Sequence, residues 1–311
     1  MRIAIIGRTE TLYESALKLL EAGHEIPLII TAKEAPEYKI GASGFKELAE
    51  RIGARYLCST LFNQQVIEEV KRSLPLDLGI SMNYPTIINQ EAIDLFKLGI
   101  LNAHGGDLPR YRGNACQAWA IINGESRIGL CIHKMDGLHL DAGDIIVRDY
   151  FPVSVHTKIG QCYKWFQERI PDMFLEAVTL LQNNPHYYLQ KQSTRPEDAL
   201  RCYPRNPEDG RIDWKQTNIE ILRLINASSE PYPGAFCTYK EDKLIIWDAE
   251  LYEDKENYLA VPGQIAEIDK KAGHVIVICG KGKLKVNEVS FANQHRIKPA
   301  QVIHSIRERL K

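Results

Sequence analysis

Residues 99–144 read GILNAHGGDLPRYRGNACQAWAIINGESRIGLCIHKMDGLHLDAGD. The apolar pair Ile100-Leu101 predicts a strand that runs on into Asn102 and His104. On a strand, residues i and i+2 point the same way, so Asn102 and His104 are expected to project side by side from one strand end. Gly105-Gly106 and Asp107-Leu108-Pro109 break that strand. A second strand-like run, Ile128 to Met135, leads into a loop that closes on Leu140-Asp141-Ala142-Gly143-Asp144. Folded back, this loop brings Asp141 to the same pair. An amide donor, an imidazole and a carboxylate meeting at a sheet edge can perform acyl transfer without a nucleophilic Ser or Cys.

At 311 residues the chain has room for one large domain and one small one. Apolar residues make up 44% and charged residues 25%, which predicts an ordinary packed globular core. The formal net charge is −1, which argues against a dedicated nucleic-acid binder with its dense Lys/Arg face. The opening Met1-Arg2-Ile3-Ala4-Ile5-Ile6 is cut off by Arg8 and Glu10, too early for a secretory signal. No apolar run reaches membrane-spanning length. The seven cysteines (58, 116, 131, 162, 202, 237, 279) are scattered, without a C-x-x-C pair. A reduced, cytoplasmic protein with buried thiols is therefore expected, rather than disulfides or a zinc site.

The chain opens as a βαβ unit. Arg2–Gly7 reads as a buried parallel strand, Thr9–Ala22 as a helix with Leu12, Ala16, Leu19 and Leu20 on one face, and Glu25–Thr31 as a second strand. Gly7-Arg8-Thr9-Glu10 lacks the G-x-G-x-x-G fingerprint, and Gly41-Ala42-Ser43-Gly44 lacks the Gly-Lys-Ser/Thr of a P-loop. The latter leads into a helix over Phe45–Ile52. Further along, a strand at 55–58, a helix at 63–73, a strand at 76–82 and a helix at 88–97 continue the alternation. A helix at 115–123, a hairpin of 128–135 with 144–152, and a long helix at 159–182 follow. The Pro-, Asn-, Asp- and Arg-rich stretch 183–211 reads as a linker. Beyond a helix at 218–227, short strands at 235–239, 243–251, 264–268, 274–279 and 283–291 suggest an antiparallel barrel or half-barrel. The fold class is α/β, with a domain at 1–182, the linker at 183–211 and a smaller domain at 212–311.

Three sets of residues carry a family resemblance: Asn102-Ala103-His104-Gly105, Leu108-Pro109-Arg110-Tyr111-Arg112-Gly113, and Leu140-Asp141-Ala142-Gly143-Asp144. The sequence resembles the N10-formyltetrahydrofolate-dependent formyltransferases. Pro207-Glu208-Asp209-Gly210-Arg211-Ile212-Asp213-Trp214 and Pro231-Tyr232-Pro233-Gly234-Ala235 extend the likeness into the methionyl-tRNA and sugar-nucleotide branches. The resemblance implies a Rossmann-like, mostly parallel amino-terminal sheet and a β-rich, OB-like carboxyl-terminal domain. It implies that Asn102 donates to the formyl oxygen as negative charge develops, that His104 handles the proton of the attacking amine, and that Asp141 orients His104 and favours its charged form. It also implies that backbone of Thr86, Ile87 and Ile88, and of Gly137, Leu138, His139 and Leu140, grips the folate. A metal held by His104, His133, His139 and Asp141 lacks ligand spacing and is not expected; His139 reads as part of the loop wall.

The acceptor amine follows from charge. Residues 205–311 mix Lys/Arg with Asp/Glu almost evenly, and Lys281, Lys283 and Lys285 form their tight basic cluster. A long polyanion needs more than this, so a nucleotide-linked amino sugar is expected, without nucleic acid or membrane as partner. His104-Gly105 resembles the 4-amino-4-deoxy-arabinose formyltransferase branch, although Asn114 stands where that branch carries Arg. Arg8, Arg205 and Tyr203 are the candidate acceptor-binding residues, with Arg8 at a strand-end turn where α/β proteins bind ligands. Trp119 reads as helix core. Methionyl-tRNA formylation is the second enzymatic reading, and a folate-sensing binding module is the non-enzymatic one. Assembly as a homodimer is left open.

Overall fold

The computed structural model describes residues 1–35, 38–193, 195–292 and 294–311. They form two compact units: residues 1–116, 128–151 and 163–202 in one, and residues 117–127, 152–162 and 203–311 in the other. The stretch 183–211 therefore does not stand apart as a linker. Its part up to Cys202 belongs to the first unit and the rest to the second. Thr194, within it, lies outside the described residues.

In the first unit, β1 (Arg2–Gly7), α1 (Glu10–Glu21), β2 (Glu25–Thr31), α2 (Ala42–Ile52), β3 (Arg55–Cys58), α3 (Gln64–Arg72), β4 (Leu78–Met82), α4 (Gln90–Ile93) and β5 (Ile100–His104) alternate. A two-residue strand β6 (Arg112–Gly113) and strands β7 (Arg127–Lys134) and β8 (Ile145–Pro152) follow, while helix α5 (Cys116–Asn123), between β6 and β7, belongs from residue 117 on to the second unit. The seven-stranded sheet has the order β3-β2-β1-β4-β5-β7-β8. Its first five strands are parallel, and β7 pairs antiparallel to β5. Ile3, Ala4, Ile5 and Ile6 are fully buried, as a parallel strand covered on both faces requires. Val66 and Val70 of α3 and Ala92 and Ile93 of α4 pack on Ala4, Ile6, Leu28, Ile30 and Ile100.

The strand order reverses between β1 and β4, which opens the crevice where sheets of this kind receive ligands. Gly7 closes β1 there. Its φ is +142°, and a Cβ would come 2.0 Å from the carbonyl oxygen of Met82. Arg8 N–H donates to that same oxygen at 3.0 Å.

The helix expected over 88–97 is shorter than the apolar spacing suggests. Asn89 caps it by accepting from Ala92 N–H, but Lys97 and Leu98 turn their N–H groups to the carbonyls of Leu76 and Asp77. Pairing with the segment entering β4 captures the backbone before another helical turn can form.

Helix α6 (Ile159–Asn183) is followed by β9 (Arg201–Cys202), which pairs in parallel with β6. In the second unit, α7 (Asn218–Ser228) starts at a capping box of Thr217 and Glu220. Strands β10 (Ala235–Tyr239), β11 (Asp242–Tyr252), β12 (Ile265–Ile268), β13 (Val275–Ile278) and β14 (Lys283–Phe291) form an antiparallel sheet in the order β10-β11-β14-β13-β12. Residues 309–311 hydrogen-bond to both edges, Lys311 with Thr238 and Leu310 with Gly263. The sheet is thus a half-barrel whose open side is bridged by this tail. Ile221, Leu222 and Ile225 of α7 join Leu244, Ile246, Val277 and Val286 in its core. Among the described residues no helix is long and apolar enough to cross a membrane.

Gly7→Ala adds a methyl where backbone already lies and where φ is left-handed. It is expected to destabilise the protein by about 3 kcal/mol or more, read as a fall in the denaturant midpoint at unchanged m-value.

Candidate active site

Asn102 and His104 lie two apart on β5, on the same side of the strand as expected. The antiparallel register sets His133 of β7 opposite Asn102, and Cys131 opposite His104. Asn102 Nδ2 lies 3.3 Å from His133 Nε2. His133 Nδ1 donates to the carbonyl of Lys134 at 2.8 Å. That bond places the proton on Nδ1 and leaves Nε2 as the acceptor for the Asn102 amide. The Asn102 side chain is thereby fixed with its amino group toward His133.

The loop after β7 returns as expected. Asp141 Oδ2 lies 3.5 Å from His104 Nδ1, and Oδ1 lies 3.6 Å from His133 Nε2. Oδ2 accepts the Gly113 N–H at 2.9 Å. Burial by itself would raise the Asp141 carboxyl. The charges of His104 and His133, the Gly113 N–H and Arg201 outweigh it and hold the group below the ordinary carboxylate value. Burial dominates at His133 instead and pushes it down to about 4 despite Asp141.

His104 Nε2 donates to the carbonyl of Tyr111 at 2.7 Å, with Cys116 Sγ 3.7 Å away. That leaves Nδ1 as the basic nitrogen. A proton taken there gives an imidazolium flanked by a carbonyl on one side and the Asp141 carboxylate on the other. The approach of Tyr111 depends on Gly106, where a Cβ would lie 2.3 Å from the Tyr111 oxygen and 2.6 Å from His104 Nε2. Tyr111, Ala115 and Asp141 all adopt positive φ, at +57°, +51° and +50°. Strained backbone of this kind gathers where geometry is set for function.

The loop at 137–140 meets the start of α4, which follows the segment 86–88. Gly137 N–H donates to Gln90 Oε1 at 3.0 Å, and a Cβ at Gly137 would meet Gln90 N at 2.3 Å. Ile87, Leu138 and Leu140 are exposed and give these loops an apolar surface suited to a flat ring. Ile88 turns into the core, and Thr86 Oγ1 bridges Phe62 N–H and the Thr60 carbonyl. His139 pairs with Asp136 at 3.1 Å. Among the described residues no three His, Cys, Asp or Glu side chains are grouped to hold a metal ion.

Arg8 donates to the carbonyls of Asn83 and Lys33, which holds its guanidinium at the β1/β4 crevice over the Tyr38 ring. In the second unit, Arg205 donates to the carbonyls of Ala227 and Asp209 and to Ser228 Oγ, and lies over the Trp119 ring. Trp119 Nε1 donates to the carbonyl of Tyr203, whose ring is largely exposed. All seven cysteines are free. Six are buried, whereas Cys58 is exposed.

The family description "Formyl transferase" matches residues 1–178, and "Formyl transferase, C-terminal domain" matches residues 205–307. The chain belongs to the formyl transferase family. This formyltransferase is 28% identical over 303 residues to the methionyl-tRNA formyltransferase of Ruminiclostridium cellulolyticum, covering 96% of the chain and 94% of that protein. Among solved structures it resembles an N-formyltransferase from Helicobacter canadensis in complex with folinic acid and dTDP-3-aminofucose. The TM-score is 0.67 at 17% identity, over 92% of this chain and 98% of that one. It also resembles HypX from Aquifex aeolicus in complex with tetrahydrofolic acid, with a TM-score of 0.60 at 20% identity. That match covers 98% of this formyltransferase, which spans 47% of HypX.

The His133 result gives a pH expectation. The folded group binds a proton only near pH 4, against 6.5 in its ordinary state. As pH falls through this window the unfolded chain takes up more protons than the folded one, so stability is lost. The loss is expected to be on the order of 3 kcal/mol. His133→Gln, which does not titrate, should flatten the stability profile between about pH 6.5 and 4, measured by urea denaturation at each pH.

Proposed function

We propose that this formyltransferase moves the formyl group of N10-formyltetrahydrofolate onto the amine of a nucleotide-linked amino sugar, through Asn102, His104 and Asp141. The convergence of these three side chains at the end of β5 supports the mechanism. The Asn102 amino group, oriented by His133, has a hydrogen left to donate to the formyl oxygen. His104 Nδ1 takes the proton released by the attacking amine and returns it to N10 of tetrahydrofolate as the bond from the formyl carbon to N10 breaks. Asp141 and the Tyr111 carbonyl stabilise the intervening imidazolium. The exposed Ile87, Leu138 and Leu140 would hold the pterin, with backbone of 86–88 and 137–140 supplying its polar contacts.

For the acceptor, the observation that carries the reading is the state of the basic cluster in the second unit. Lys283 is almost fully buried and paired with Asp254 at 2.6 Å and Glu256 at 2.5 Å, and Lys285 is paired with Glu250 at 2.8 Å. Arg296 is paired with Glu230 and Glu288, and Lys240 with Glu308. Cations neutralised in this way offer little to a nucleic-acid backbone, whose binding depends on many phosphate contacts. One diphosphate needs fewer cations, and Arg8 at the crevice is suited to it. Tyr203 and Arg205 are the further candidates. The dTDP-3-aminofucose in the Helicobacter canadensis complex is a nucleotide-linked amino sugar. The 28% identity to a methionyl-tRNA formyltransferase favours a second reading, formylation of initiator methionyl-tRNA.

The discriminating assay offers initiator methionyl-tRNA and UDP-, dTDP- and GDP-linked amino sugars with N10-formyltetrahydrofolate. Turnover of a sugar nucleotide is expected, and turnover of the tRNA alone would promote the second reading. No turnover, with folate bound, would favour a folate-sensing module. On the active acceptor, His104→Ala should remove most turnover while leaving folate affinity within about threefold, because His104 acts on the transition state. Arg8→Ala should raise KM for the sugar nucleotide about tenfold at unchanged KM for folate.

A further inference from the structure

Asp141 is held from behind as well as at its carboxylate. Its φ of +50° places its carbonyl where an L residue rarely puts it. Two residues on, Gly143 runs so close to β7 that a Cβ would lie 1.9 Å from the Lys134 carbonyl oxygen. The carbonyls of both residues converge on one side-chain amide. Gln192 Nε2 donates to Asp141 O at 3.0 Å and to Gly143 O at 2.7 Å. An amide nitrogen carries two hydrogens, so both are used.

The same amide is oriented from its other end. Gln192 Oε1 accepts from Arg112 Nη2 at 3.0 Å, and Arg112 Nη2 also donates to the Ser193 carbonyl at 2.7 Å. A guanidinium only donates, so the Gln192 oxygen must face Arg112 and its nitrogen must face the two carbonyls. Arg112 is buried, and the next residue, Gly113, supplies the N–H that meets the Asp141 carboxylate. The segment bearing Gln192 is anchored by Ile145, whose N–H donates to Gln190 O and whose carbonyl accepts Leu189 N–H.

We infer that Gln192 is a positioning residue for formyl transfer: it fixes the backbone turn that aims the Asp141 carboxylate at His104, and Arg112 fixes the amide of Gln192. The inference rests on the reading of Asp141 as the partner of His104. Gln192 touches neither folate nor acceptor in this scheme and acts only through Asp141.

Gln192→Glu separates this role from a merely structural one. The variant keeps an acceptor for Arg112 but sets a proton-free oxygen against two carbonyls. The test compares wild type, Gln192→Glu, Asp141→Asn and the double variant, using N10-formyltetrahydrofolate and the amine that the wild type formylates, with a thermal melt of each. Gln192→Glu is expected to melt within about 4 °C of wild type and to lose about tenfold or more in kcat at unchanged KM for the amine. The double variant is expected to be no slower than Asp141→Asn, because the two residues act as one unit. Should Gln192→Glu fail to fold, Gln192→Met, of similar volume, carries the same expectations. A slow Asp141→Asn beside a Gln192 variant within about twofold of wild type, or an additive double variant, overturns this assignment alone. An Asp141→Asn variant as fast as wild type overturns the reading of Asp141 and this assignment with it.

Discussion

A carboxylate with 11% of its side chain exposed must find compensation inside the fold, and the site is organised around that requirement. Asp141 receives one N–H from Gly113, and His104 and His133 flank its oxygens at 3.5 and 3.6 Å. Burial keeps His133 neutral, and the Lys134 carbonyl fixes which of its nitrogens carries the proton. The lone pair left on Nε2 then sets the orientation of the Asn102 amide. One buried charge is thereby linked, through a tautomer, to the direction in which the amide donor points. His104 lies between the Asp141 carboxylate and the Tyr111 carbonyl.

Much of this was legible from spacing. The N-x-H pair on a strand and the L-D-x-G-D loop already place Asn102, His104 and Asp141 together, because the period of a strand is two and a loop between antiparallel strands returns to its start. The βαβ alternation gave the sheet, and the short strands after residue 234 gave the half-barrel. His133 was visible only as a nearby histidine, since its role depends on the β5–β7 register that sets it opposite Asn102. Gln192 and Arg112 are 80 residues apart, and no local pattern connects them. The Pro- and Asn-rich composition around Gln192 reads as a linker, yet Leu189 and Gln190 pair with Ile145 and the Gln192 side chain with Asp141. The apolar spacing overestimates the helix at 88–97 for a similar reason, as backbone pairing near Leu76 and Asp77 lies outside any helical periodicity.

Charge patterning needed the structure in a different way. A row of lysines on alternate positions of a strand can be a phosphate-binding face or a set of ion pairs, and the sequence 281–285 is the same in both cases. Asp254 and Glu256, on the segment after β11, close on Lys283, and Glu250 closes on Lys285 across the β11–β14 ladder. Family membership fixes the reaction, whereas such pairing bears on which amine receives the formyl group.

The most direct measurement is a crystal structure of the protein with a stable N10-formyl folate analogue. The account predicts the pterin against residues 86–88 and 137–140, with the formyl oxygen about 3 Å from Asn102 Nδ2. It also predicts the formyl carbon facing the His104 imidazole, with Asp141 still beside it. A formyl group directed away from Asn102 and His104, with the pterin outside those two loops, would contradict it.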